Sequence, residues 1–123
     1  MECATREVLT LASSRLAPAL ARRAVHDFAA AVSPASAWTA ELLASELVTN
    51  AVTHGKGEVR VVMEYDDRGL AVMVTDEEPA LPVLAMGTSS DTGGRGMRMV
   101  DVLASDWGVT PERPGKGVWF RIG

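Results

Sequence analysis

Apolar positions recur with a helical period in two long stretches, and crowd together in several shorter ones. From about Arg15 to Val32 the chain is rich in alanine, the strongest helix former. Leu16, Leu20, Val25, Phe28 and Val32 follow the 3.6-residue period and predict the buried stripe of a helix. Pro18 belongs in its first turn, Arg22, Arg23 and Asp27 face outward, and His26 reads as a surface or boundary histidine. Ser33-Pro34 closes this helix and opens another, with Ser33 as N-cap and Pro34 at the first helical position. The second helix runs to about His54, where Gly55 is expected as a left-handed stop. Within it, Leu43, Ala44, Leu47, Val48 and Ala51 share one sector. Glu46, Asn50 and His54, spaced by four, form a slanting polar row beside that sector, so that Glu46 and Asn50 are expected half sheltered from water.

The shorter runs read as strands. Residues 6–12, REVLTLA, predict a short first strand. VRVVMEY (59–65) and LAVMVTD (70–76) flank Asp66-Asp67-Arg68-Gly69, which is turn chemistry, and predict an antiparallel hairpin. Residues 77–92 hold two prolines, a glycine and a polar tail and read as a long loop, a kind that is usually functional or mobile. A helix is expected from about Gly96 to Ala104, with Met97, Val100, Leu103 and Ala104 inward. WGVTPER from Trp107 and GVWFRI (117–122) predict two last strands joined by Pro114-Gly115-Lys116. Trp38 reads as a locally packed residue, or as part of a dimer or partner face together with the alanine-rich helix surface.

Composition narrows the class. The 123 residues are 47% apolar and 23% charged, which suits one globular domain over residues 1–123. A net charge of −4 argues against nucleic acid as the main partner. The single cysteine, Cys3, forms no internal disulfide, and with only His26 and His54 beside it no zinc site can be assembled. The first residues, MECATREV, are charged where a signal peptide is apolar, and no apolar run approaches the roughly 20 residues of a membrane span. A cytoplasmic protein with no membrane partner is the expectation.

Two features carry candidate chemistry. A half-sheltered carboxylate such as Glu46 can act as a base, and the amide oxygen of Asn50 can hold a hard cation; the same row also suits the shoulder of an ordinary amphipathic helix. Gly93, Gly94 and Gly96 stand ahead of a helix, where exposed N–H groups and the helix dipole favour an anion, and Arg95 can fork onto phosphate oxygens. A flexible hinge accounts for those glycines equally well. Gly115-Lys116 is followed by Gly117, which excludes a Walker A loop. Met99 stands where a dinucleotide fingerprint needs its third glycine.

The order of these features, SELVTNAVTHG, a hairpin ending in Asp76, a long loop, GRGM leading to VDVLASDWGV, and GKGVWF, resembles the GHKL (Bergerat-fold) ATP-binding superfamily. It is most similar to small bacterial anti-sigma-factor serine/threonine kinases, over about Arg15 to Ile122. The resemblance implies an α/β two-layer sandwich with a mixed, mostly antiparallel sheet and helices on one face. It implies ATP and Mg²⁺ as cofactors, with Glu46 as catalytic base, Asn50 as Mg²⁺ ligand and Asp76 as acceptor for the adenine amino group. Gly94, Arg95, Gly96 and Met97 resemble the second glycine box, Gly115, Lys116 and Gly117 the third, and residues 77–92 the ATP lid. One departure is plain: the first box should read Asp-x-Gly-x-Gly, but EEPALP follows Asp76, adding Glu77 and Glu78 and the stiffening Pro79 and Pro82. Three activities follow from the resemblance: a kinase acting on a small antagonist protein, a non-catalytic module that sequesters a sigma factor or antagonist, and a plain ATPase. A homodimer is also within its range.

Overall fold

The computed structural model describes residues 4–79 and 92–123. Strand β1 (Thr5–Leu11) leads to helix α1 (Ala17–Val32), a single 3₁₀ turn (Pro34–Ser36) and helix α2 (Ala37–His54). The hairpin β2 (Val59–Asp66) and β3 (Gly69–Asp76) follows, then α3 (Thr92–Leu103), β4 (Asp106–Pro111) and β5 (Lys116–Ile122). The five strands form one sheet in the order β1-β2-β3-β5-β4, and every described pairing is antiparallel, so no parallel pair makes the sheet mixed.

The sheet has one core face. Directly opposed residues share a face, and the register aligns Leu9, Val61, Val74, Val118 and Val109 in one row and Met63, Val72, Phe120 and Trp107 in the next. Val61, Val72 and Phe120 are fully buried and join the hydrophobic cluster that the helices complete. Their neighbours along each strand point the other way: Val8, Val62, Met73, Trp119 and Gly108 form a row on the far face. A groove on that far face runs among Arg6, Val62, Glu64, Met73, Trp119 and Arg121.

The helices meet the sheet differently from the reading of their large residues. Leu16 and Leu20 are 68% and 51% exposed. The buried stripe of α1 is Ala17, Ala21, Val25, Phe28 and Ala29, because α1 packs closely on α2 and a close helix pair takes small side chains. Trp38 is 71% exposed, not packed locally, since the first turn of α2 buries Ala37 and Ala40 instead. Ser33 makes no capping bond to backbone; its hydroxyl pairs with that of Ser36 at 3.0 Å, and Pro34 starts the 3₁₀ turn and not α2. On α3, Val100 is fully buried while Leu103, in the last turn, is exposed. Helix α3 begins at Thr92, so the glycines lie inside it and not ahead of it. Residues 80–91, which hold most of the expected loop, are outside the described residues.

Away from this core, His26 Nδ1 and Glu41 Oε2 pair at 2.6 Å across α1 and α2. That hydrogen bond, then the carboxylate's charge, raises the histidine pKa above its ordinary value.

Candidate functional site

The helix carrying the polar row folds as expected on its buried side. Leu43, Ala44 and Val48 are fully buried, Leu47 and Ala51 nearly so. That orientation leaves Glu46 and Asn50 half-buried on the shoulder, one turn apart, and His54 exposed. Neither Glu46 nor Asn50 has a hydrogen-bond or ion-pair partner among the described residues. Half-sheltered, and without a partner among the described residues, a carboxylate and an amide oxygen there can take a proton or a cation.

Helix α3 packs against α2. Gly93 and Gly94 lie in its first turn, where backbone N–H groups lack an intrahelical acceptor, and Gly96 lies just beyond. The side chains of Arg95 and Met97 are outside the described residues. Two expected groups, the Glu46/Asn50 shoulder and the glycine-rich helix start, therefore stand on adjoining elements.

The chain end of α2 reaches a third. Gly55 is extended (φ −92°, ψ −161°), not left-handed. Its glycine is required by space: a Cβ there would stand 2.6 Å from the Ala51 carbonyl oxygen and 2.6 Å from the Asp76 carboxylate carbon. Asp76, the last residue of β3, thus lies against the last turn of α2, one turn beyond Asn50.

Asp76 is also where the sequence is least informative. Lys116, the first residue of β5, is its direct partner across the sheet. The Lys116 Nζ donates to both Asp76 carboxylate oxygens at 3.0 Å and to the Glu78 carbonyl at 3.1 Å. The Glu78 N–H donates to Asp76 Oδ1 at 2.7 Å. Both side chains are almost wholly buried, 8% exposed for the lysine and 5% for the aspartate. Gly115 is fixed by the same approach, because a Cβ there would run into the Asp76 carbonyl oxygen and the Glu77 backbone. Gly117 lies opposite Thr75, in the row that points to the far face of the sheet. Glu77, where the first glycine box departs from the pattern, is tied to the loop after α2: its N–H donates to the Lys56 carbonyl at 2.8 Å, and its carboxylate accepts from the Glu58 N–H at 3.3 Å.

A helix bearing Glu46 and Asn50, a glycine-led helix packed on it and a strand-end aspartate against its last turn coincide with a family model. The model for the histidine kinase-like ATPase domain matches residues 11–122. The chain belongs to that family. No curated protein matches it in sequence. ATP is the ligand of a histidine kinase-like ATPase domain, and the fold is of the GHKL type.

The residues fit that ligand unevenly. The shoulder of α2 offers a carboxylate and an amide oxygen, Glu46 and Asn50. Oxygen ligands of that kind suit a cation such as Mg²⁺, which keeps several waters and takes other oxygens from phosphate. The base end fits less well, since the carboxylate expected to accept an adenine amine already holds an ammonium. No described helix is long and apolar enough to cross a membrane. The pairing of Asp76 with Lys116 is not legible in the sequence, because nothing in either segment alone announces it. The only signal is a lysine placed between two glycines at the start of a strand.

Proposed function

We propose that this ATP-binding domain is a regulatory protein kinase that transfers a phosphoryl group to a serine or threonine of a small protein, of the anti-sigma-factor antagonist kind. The observation that carries this reading is the half-buried Glu46/Asn50 pair, without a partner among the described residues, on the helix against which α3 packs. Glu46 takes the proton from the attacking hydroxyl, a contribution of about 10²–10⁴-fold for a general base. Asn50 supplies the protein's oxygen to Mg²⁺. The first-turn amides at Gly93 and Gly94, with Arg95, Gly96 and Met97 beside them, face the phosphates, where positioned donors offset developing charge. Asp76 reads the base, and Gly117 keeps the start of β5 free of a side chain.

Two measurements test it. MgATP titration of Asn50→Ala should show affinity at least tenfold below wild type, about 1.4 kcal/mol. Transfer from γ-labelled ATP to a serine-bearing antagonist protein should fall about 100-fold or more in Glu46→Gln with nucleotide affinity kept. Full transfer by Glu46→Gln removes the role given to that residue. A binding-only regulator that sequesters its protein partner is the second reading. The occupied Asp76 and the acidic residues after it favour that reading.

A further inference from the structure

We propose that Lys116 is an intramolecular latch on Asp76, an inference that rests on the base-reading role of that carboxylate in the proposed function. The Lys116 ammonium occupies the place that the adenine amine must take, so the base subsite is shut until Lys116 withdraws.

The geometry is that of a filled site. An ammonium has three N–H donors, and Lys116 directs them at three acceptors: the two Asp76 oxygens and the Glu78 carbonyl. On the aspartate side, Oδ1 also accepts from the Glu78 N–H. Oδ2 is walled off by the chain at Gly55, where even a Cβ would stand 2.7 Å from it. The two residues are cross-strand partners on the core-facing side of the sheet, so Lys116 needs no backbone movement to hold Asp76. An adenine amine is a neutral donor: its bond to the carboxylate is still charge-assisted, but taking the ammonium's place leaves the buried charge of Asp76 without a countercharge, which is costly in a buried pair. The Lys116 ammonium also reaches the Glu78 carbonyl, so one side chain ties the start of β5 to both the end of β3 and the residues that follow it.

Nucleotide affinity in this chain is accordingly set against Lys116, and whatever draws the ammonium off Asp76 opens the base subsite. The test is MgATP calorimetry on wild type, Lys116→Met and the double variant Asp76→Asn/Lys116→Met, each first shown to be folded by circular dichroism. Lys116→Met should bind MgATP at least tenfold more tightly than wild type, and the double variant should lose that gain. Equal or weaker binding by folded Lys116→Met, with wild type binding normally, overturns the latch and leaves the ATP site standing. No binding by either protein overturns the nucleotide reading and the latch together. Should the methionine variant fail to fold, amine acylation of the wild type read by mass spectrometry decides the matter. Saturating MgATP should raise labelling of Lys116 relative to exposed Lys56, and unchanged or lowered labelling overturns the latch.

Discussion

Glycines at this site are fixed by what lies beside them more than by their backbone angles. Gly55 follows a helix and invites a left-handed reading, yet its φ is ordinary and its Cα hydrogen faces the Asp76 carboxylate and the Ala51 carbonyl oxygen. Gly55→Ala should therefore destabilise the domain through crowding. A misfit methyl against rigid backbone and a buried, paired carboxylate costs about 1–3 kcal/mol. The shift in urea midpoint at unchanged slope measures it. Were the glycine a left-handed cap, the substitution would act through backbone strain in the last turn and leave the Asp76–Lys116 pair intact. The crowding account instead couples the two positions, so Gly55→Ala and Lys116→Met should be non-additive, as expected for groups sharing Asp76. Lys116 shows the limit of reading single residues. Its flanking glycines are visible in the sequence, but the partner that gives the residue its meaning lies well back along the chain, beyond α3 and β4.

At the scale of elements, the chain is legible where periodicity and turn chemistry agree. The β2–β3 hairpin and α2 appear nearly where the pattern puts them, because Asp66 and Gly69 suit a tight turn and α2 has a continuous apolar sector. Helix α1 is legible as a helix, and Val25 and Phe28 are buried as the pattern expects, but its first turns are not. There the leucine spacing points to Leu16 and Leu20, whereas a helix that lies close to another buries the neighbouring Ala17 and Ala21. The contrast is measurable. Leu16→Ala or Leu20→Ala should change stability by no more than about 0.5 kcal/mol, as for open surface sites. Leu43→Ala, on the fully buried sector of α2, should cost about 2–5 kcal/mol. Equal losses at the two kinds of site would mean that α1 packs by its leucine stripe after all. The start of α3 is obscured for a different reason: glycine is a poor helix former, so the pattern puts the boundary at Gly96, while the helix begins at Thr92.

At the scale of the molecule, the sheet is what gathers the site. Strand order β1-β2-β3-β5-β4 puts β3 beside β5, although α3 and β4 come between them in the chain, and so brings Asp76 opposite Lys116. No short-range pattern specifies that neighbour relation; it appears only in the assembled sheet. The same order divides the sheet into a guarded interior and two edges. Strands β2, β3 and β5 are each paired on both sides, whereas β1 and β4 are paired on one, and β1 is exposed along most of its length. Amide exchange reports local opening, which spans nearly zero at frayed edges to the full unfolding free energy in a core. Amides of β3 between Leu70 and Val74 should then exchange only with global unfolding, and those of β1 orders of magnitude sooner. The carboxyl end of β3 is the informative place. If the Asp76–Lys116 pair holds that end to β5, the Thr75 and Asp76 amides should be protected with the strand centre in wild type and should fray in Lys116→Met while Val72 stays slow. Uniform protection in both proteins would mean that the strand end is held by the sheet alone, and that Lys116 contributes no fastening there.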